Sequence, residues 1–267
     1  MKIQIVFSDI DGTFLTNDHK VTEKTSDAVK SLLAKKIPFV LVSARMPEAI
    51  YPITKKIGVK IPIISYSGGL VLTEDEKILY DKKILAEDTE KVLREISLRW
   101  SDVTVNYYSG RKWFVRDVTD KRVIREMNIT SATAENANFE NLIEKNILPN
   151  KILIMCEPPV CEEMEKELGK KFPDLNVVRS SKILLEIMDK TVTKAEGIEI
   201  LLKHYNFSAE NAVAFGDNYN DVEMLKFVGG GVAMGNAPDD VKKIANEITT
   251  SNEEDGIYKF LSGRITD

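Results

Sequence analysis

Ile5-Val6-Phe7-Ser8-Asp9-Ile10-Asp11-Gly12-Thr13 is a short apolar run that ends in two acids, a glycine and a hydroxyl. With Ile3 ahead of it, the run suits a strand covered on both faces of a parallel sheet, whose active edge is the carboxyl end of its strands. Asp9 and Asp11 lie two apart, so extended backbone aims both side chains the same way, and two like charges there call for a cation. Oxygen donors, with no thiolate or imidazole cluster in reach, favour Mg2+ over zinc. Gly12 lets the backbone turn and come near an anion, and Thr13 can donate a hydrogen bond to one. Asp-x-Asp-Gly also occurs in ordinary turns and in calcium loops, so the weight of this motif depends on what accompanies it.

Reading outward, Val29, Leu32 and Leu33 recur at helical spacing between Thr22 and Lys36, and Phe39-Val40-Leu41-Val42 follows as a second strand ending in Ser43-Ala44-Arg45. Strand, helix, strand is the βαβ unit of a parallel sheet. A helix near Glu48 to Ile57 leads to a third strand, Ile61-Pro62-Ile63-Ile64, which runs into Ser65-Tyr66-Ser67-Gly68-Gly69. Val71-Leu72 and Ile78-Leu79-Tyr80 look like a hairpin beside it. Between about 83 and 186 the texture changes to hairpins with helices, which predicts an α+β module with an antiparallel sheet. Alternation then resumes with a helix from Thr193-Lys194 to His204, the strand Ala212-Val213-Ala214-Phe215, the loop Gly216-Asp217-Asn218-Tyr219-Asn220-Asp221, and the strand Gly231-Val232-Ala233-Met234. The expected architecture is α/β: a doubly wound, mostly parallel sheet formed by residues 1–82 and 187–267, with an inserted α+β domain at 83–186.

Composition narrows the chemistry. The 267 residues are 43% hydrophobic, ample for a core, and 37 basic against 42 acidic residues leave a net charge of -5. No basic face large enough for nucleic acid is implied, so phosphate groups would be held locally by a metal and a few cations. No apolar run approaches the roughly 20 residues of a membrane span, and the apolar start is too short for a secretory leader. Cytoplasm is the default expectation, with Cys156 and Cys161 as packing residues near a Pro158-Pro159 turn.

Asp9 and Asp11, Ser43, and Asp217 with Asp221 each follow a predicted parallel strand, so one sheet would bring them to one crevice. Individually each has a plainer reading: a helix cap for Ser43 or the Gly216–Asp221 loop, a solvated surface lysine for Lys194. The joint pattern resembles the haloacid dehalogenase-like phosphatases, and among them the Cof-type hydrolases with a large α/β cap. Asp9-Ile10-Asp11-Gly12-Thr13 matches the first motif, Ser43 the second, Lys194 the third and Gly216-Asp217-Asn218-Tyr219-Asn220-Asp221 the fourth. Gly231 to Ala237 and Thr249 to Gly256 also match the Cof-type pattern.

The resemblance implies a phosphatase acting on a small phosphorylated metabolite: a sugar phosphate, nucleotide or cofactor phosphate. Asp9 would be the nucleophile that becomes an aspartyl phosphate, and Asp11 the group that hands a proton to the leaving oxygen. Ser43 and Lys194 would hold the phosphoryl oxygens. Mg2+ would sit on Asp9, the backbone carbonyl of Asp11 and Asp217, with Asp221 and Asn218 or Asn220 ordering the shell. Gly12, Thr13, Arg45, Ser67, Gly68 and Asn220 are candidates for substrate contact, with the cap interface or a plain surface position as other readings of Arg45, and Asn252 with Asp255 for bracing the metal loop or the terminal helix, or for plain capping. Departures from the family pattern are Ser43-Ala44-Arg45 for Thr-Gly-Arg, Ser67-Gly68 for Asn-Gly, and Ala195 for glycine. A phosphotransferase or phosphomutase of the phosphomannomutase-like type is the alternative, followed by a receiver module and a catalytically idle binder. No membrane and no obligate protein partner is implied. Gly229-Gly230-Gly231 reads as a tight turn, His19 and His204 as structural or solvated, and Tyr107, Tyr108 and Arg111 as either hairpin packing or a lip facing substrate.

Overall fold

The apolar runs ahead of Asp9, Ser43 and Asp217 become strands in the computed structural model, which describes residues 2–264, although Ile3 and Ile61 fall outside the strands expected to include them. The chain begins with β1 (Ile5–Asp9), α1 (Glu23–Ala34), β2 (Phe39–Val42), α2 (Pro47–Ile57), β3 (Ile63–Ser65), β4 (Leu70–Leu72) and β5 (Ile78–Asp81). It continues with α3 (Ala86–Arg99), β6 (Thr104–Ser109), β7 (Lys112–Val115), α4 (Lys121–Thr130), β8 (Ala134–Asn136), α5 (Phe139–Glu144), β9 (Lys151–Met155), α6 (Pro158–Lys171), β10 (Leu175–Ser181) and β11 (Leu184–Asp189). Last come α7 (Lys194–Tyr205), β12 (Ala212–Gly216), α8 (Val222–Phe227), β13 (Gly230–Ala233), α9 (Asp239–Ile244), β14 (Glu247–Ile248) and α10 (Gly256–Ser262). Residue 1 and residues 265–267, the two ends of the expected core segments, lie outside the described residues.

The described chain divides into two compact units. One takes residues up to Arg45, Ile50–Tyr80 and Thr193 onward; the other takes Met46–Ala49 and Asp81–Val192.

In the first unit the strands form one sheet in the order β14-β13-β12-β1-β2-β3-β4-β5. From β14 to β3 each neighbouring pair is parallel, and β4 returns antiparallel to β3. β1 and β2 are buried at every residue, as strands covered by helices on both faces must be. Ile5, Phe7, Val40, Val42, Ala212 and Ala214 pack with Ile198, Leu201, Met224 and Leu225 of the helices. The chain leaves β1 for β2 on one side, while β12 lies on the other, so a switch in strand order falls at β1 and opens a crevice beyond its carboxyl end.

Gly229-Gly230-Gly231 is not simply a turn: Gly230 and Gly231 open β13. A Cβ on Gly231 would lie 2.0 Å from the Leu225 carbonyl oxygen, so the residue is small because α8 crosses its backbone.

The second unit has the strand order β10-β11-β9-β6-β7-β8. Its pairs are antiparallel, as expected, except for β7 with β8, which run parallel. The helix α4 lies between those two strands in sequence and carries the chain back to the starting end, which a hairpin cannot do. One face of this sheet, with Tyr107, Phe114, Ile152, Ile154, Leu185 and Ile187, packs on Val92, Ile96, Phe139 and Met164. Tyr107 is therefore core rather than a lip: it is fully buried, stacks on Phe139 at 5.2 Å, and its hydroxyl donates to the Ile147 carbonyl. Tyr108 is buried as well, stacked on Trp113. Pro158 and Pro159 start helix α6 instead of making a turn, in keeping with proline's fit to a first helical turn. Cys156 and Cys161 are free and buried, and burial pushes the Cys156 thiol up to about 12, which leaves it inert.

Candidate active site

Three neighbouring parallel strands, β12, β1 and β2, deliver Asp217, Asp9 and Ser43 to the same edge of the sheet, because each strand ends at the residue before its polar group or at the group itself. Helix α7 brings the fourth element. Thr193 caps it, its side chain accepting from the Glu196 amide at 3.1 Å, so Lys194 stands at the first helical position with its side chain 1% exposed.

The Lys194 ammonium is the centre of the arrangement. It lies 2.5 Å from Asp9 Oδ1 and 2.6 Å from Asp221 Oδ1. The other Asp221 oxygen accepts from the Asp217 amide at 2.9 Å and the Asn218 amide at 3.0 Å, so this fully buried carboxylate ties the lysine to the loop after β12. Asp217 accepts on Oδ1 from the Thr13 hydroxyl at 2.6 Å, which joins the loops after β1 and β12. Asp9, Asp217 and Asp221 each place one carboxylate oxygen within 4.8 Å of the other two.

Three acids around one ammonium leave an excess of negative charge in a region shielded from water. Burial pushes the Asp9 carboxyl up, to about 8, while Lys194 pulls it down and Asp221 pushes it further up. Burial also raises Asp217, to about 6, against the Thr13 hydrogen bond. At Lys194 burial works against the ammonium, yet Asp221 and Asp9 outweigh it and hold its pKa above the usual lysine range. A divalent cation fits this donor set: every offered atom is a carboxylate oxygen, which hard cations prefer, and the charge excess needs one. The backbone is shaped for it too. Gly12 has φ +82°, and a Cβ there would lie 2.4 Å from Asp217 Oδ2, so the first loop reaches the acid only with no side chain in the way.

The remaining expected residues divide into those at the cluster's border and those away from it. Asp11 lies past the end of β1, and its carboxylate faces Arg45: the guanidinium donates from Nε to Oδ2 at 2.9 Å and from Nη2 to Oδ1 at 2.5 Å. Its side chain is thus not one of the three acids that meet. Ser43 is buried, its hydroxyl accepting from the Arg45 amide at 3.2 Å and its carbonyl from the Ser67 amide at 2.9 Å. Ser67 and Gly68 belong to the turn Tyr66–Gly68 after β3, next along the same edge. Asn218 is exposed and its side chain accepts from the Tyr219 amide, forming a capping box with Asp221. Asn220 is exposed, with no contact to the acid cluster given by the structure.

The chain is similar to known proteins over nearly its whole length. A family model described as haloacid dehalogenase-like hydrolase matches residues 6–261. The chain belongs to that family. Within it the chain is of the Cof-type, phosphatase branch: a Haemophilus influenzae protein named "Putative phosphatase" is 37% identical over 268 residues, covering 99% of both chains. Two crystal structures, each 26% identical to this hydrolase, share its fold. One, a haloacid dehalogenase-like hydrolase from Bacteroides thetaiotaomicron, has a TM-score of 0.88 and covers 98% of this chain and 99% of its own; the other, a Thermotoga maritima protein, has a TM-score of 0.89 and covers 99% and 98%.

Two further groups of this hydrolase reach the site without having been expected there. Asn236, after β13, donates from Nδ2 to the Gly12 carbonyl at 2.8 Å and accepts on Oδ1 from the Asn252 amide at 3.2 Å. Asn252 in turn donates to the Leu15 carbonyl at 2.9 Å and to Asn17 Oδ1 at 3.3 Å, clamping the first loop. His19 Nδ1 comes within 3.7 Å of Asp11 Oδ1 from an exposed turn. Asn236 and Asn252 fall in stretches matched to the Cof-type pattern, and the bracing expected of Asn252 is seen, but the contacts of Asn236 and His19 are not local ones, since their partners lie across the sheet edge or in an irregular loop. Asp255 takes the left-handed conformation before α10 and pairs with Lys24 at 3.3 Å rather than with the acids.

Proposed function

We propose that this phosphatase hydrolyses a small phosphorylated metabolite, such as a sugar phosphate, nucleotide or cofactor phosphate, through a covalent aspartyl phosphate on Asp9. The observation that carries the reading is Lys194 held between Asp9 and Asp221, with Asp217 and Thr13 closing the ring.

Asp9 is the nucleophile. Lys194 holds Oδ1, so Oδ2 is the oxygen outside that pair and is assigned the attack on phosphorus. As the Asp9 to phosphorus bond forms and the bond to the leaving oxygen breaks, Asp11 delivers a proton to that oxygen. Water then attacks the aspartyl phosphate, Asp11 takes the proton, and phosphate leaves with Asp9 restored. Ser43 and Thr13 offer hydroxyls, and Lys194 an ammonium, to phosphoryl oxygens whose charge redistributes in both steps. Asp9 and Asp217 would hold Mg2+, with the backbone carbonyl of Asp11 as the family resemblance implies and Asp221 fixing the loop behind them. Bound there, the ion would supply positive charge to the phosphoryl oxygens. Residues 83–186 are assigned as an inserted cap that selects the leaving group, and cytoplasm as the place of action. None of the helices among the described residues is long and apolar enough to cross a membrane.

A panel of phosphorylated metabolites assayed for inorganic phosphate, with and without Mg2+, tests the reading. Asp9→Asn is expected to keep the fold and lose turnover; unchanged turnover in that variant refutes the assignment. Transfer of the phosphoryl group to an added sugar, in place of phosphate release, would favour the phosphotransferase alternative.

A further inference from the structure

Arg45 stood among the candidates for substrate contact, yet its guanidinium is already committed. Nε and Nη2 engage the two Asp11 oxygens in a fork, at 2.9 and 2.5 Å, an arrangement that fixes direction as well as distance. The base of the fork is rigid. The Arg45 amide donates to Ser43 Oγ at 3.2 Å, and its carbonyl accepts from the Tyr66 amide at 3.1 Å and from Ser65 Oγ at 2.5 Å. Asp11, by contrast, lies beyond the last residue of β1 with 46% of its side chain exposed. Among the described residues, His19 approaches it at 3.7 Å, longer than a hydrogen bond, and the Asp217 carboxylate lies near enough to repel it. Without Arg45 the Asp11 carboxylate would lose both hydrogen bonds of the fork and could populate other rotamers.

We infer that Arg45 is a positioning residue acting through Asp11: it aims the carboxyl group that, when protonated, passes its proton to the leaving oxygen, and it is not itself a ligand of the phosphoryl group. The inference rests on the aspartyl-phosphate reading given above. In the step concerned, the Asp9 to phosphorus bond forms, the phosphorus to leaving-oxygen bond breaks, and the proton moves from Asp11 to that oxygen. Only leaving groups that need the proton depend on the aim of Asp11. A nitrophenolate departs unaided, whereas an alkoxide does not.

The test uses kcat/KM, which covers the steps up to departure of the leaving group, on p-nitrophenyl, phenyl and alkyl phosphate monoesters. Arg45→Met keeps the bulk of the side chain and all three backbone hydrogen bonds, and a thermal midpoint near that of the parent confirms that it folds; Arg45→Lys is the second variant. Arg45→Met is expected to lower kcat/KM for alkyl phosphate by roughly tenfold to a hundredfold, a part of what general acid catalysis contributes, and to leave p-nitrophenyl phosphate within about threefold. Combining it with Asp11→Asn should cost no more than Asp11→Asn alone, because residues that act as one unit are not additive. Arg45→Lys should recover part of the alkyl phosphate rate. A loss equal for all esters and additive with Asp11→Asn overturns the inference in favour of a direct phosphate contact, and no loss for any ester also overturns it. If Asp11→Asn shows no leaving-group dependence, the inference falls with the role of Asp11. If Asp9→Asn stays active, the aspartyl-phosphate reading itself fails.

Discussion

Lys194 and Asp9 form a buried ion pair, ammonium to Oδ1 at 2.5 Å, with the lysine side chain 1% and the acid 10% exposed. They are separated by 185 positions in sequence, and the pair closes the gap between the end of β1 and the start of α7. Removing one partner of such a pair leaves an uncompensated charge in a place that water does not reach.

Lys194→Met keeps the length of the side chain and deletes its charge. In chelator the variant should unfold about 3 to 5 kcal/mol more easily than the parent, because Asp9 and Asp221 then face each other without an ammonium. Mg2+ should return part of that stability but not the turnover, which should stay down by about a hundredfold to a thousandfold. Urea unfolding with and without Mg2+, together with phosphate release, checks both parts.

The raised carboxyl of Asp217, at about 6, sets a pH dependence. Its unfolded value is near 3.8, so between about 4 and 6 the folded chain binds more protons than the unfolded chain. Stability of the metal-free protein should therefore fall as pH rises through that window, and Asp9, raised further by burial, extends the fall in the same direction. A cation needs the ionised acids, so the gain in melting temperature on adding Mg2+ should grow from pH 5 to pH 8. Melting curves in EDTA and in Mg2+ at each pH measure it; a gain that shrinks with rising pH would contradict the acid cluster as the cation site.

Gly12→Ala puts a Cβ 2.4 Å from Asp217 Oδ2 at φ +82°. Either the loop or Asp217 must move, at a backbone cost of about 1 to 3 kcal/mol. Mg2+ affinity should drop by roughly tenfold or more, as it does when a group that orients a ligand is lost. Calorimetric titration of Mg2+ into the variant reads this directly.

Asn252→Ala removes the donor that holds the Leu15 carbonyl at 2.9 Å. Asn252 is only 6% exposed, so the carbonyl loses its partner with little water to replace it, at about 1 to 3 kcal/mol. Hydrogen exchange should show the loop over residues 12–17 opening more often, with kcat lower and global secondary structure unchanged.

Much of the site could be read before any coordinates. The apolar runs before Asp9, Ser43 and Asp217 are short and unbroken, so each reads as a buried parallel strand, and one such sheet has one carboxyl edge. Other groups resisted a local reading for identifiable reasons. Tyr107 could be read as hairpin packing or as a lip, and only α5, which places Phe139 against it, decides for packing. Gly231 reads equally as the end of a turn and the start of a strand until β13 includes it and α8 crosses it at the Leu225 carbonyl. Asn236 lies in a stretch matched to the Cof-type pattern, but its contact could not be read locally, because its partner, the Gly12 carbonyl, lies 224 positions away.

Residue order alone therefore determined which chemical groups are available and to which end of the strands they are delivered, since strand period and chain direction are local properties. Tertiary structure alone decided who pairs with whom: Lys194 with Asp9 and Asp221, Arg45 with Asp11, Thr13 with Asp217. Those choices depend on the register between neighbouring strands and on where α7 begins over the sheet, and they involve distances of a few ångströms between segments that no sequence spacing encodes.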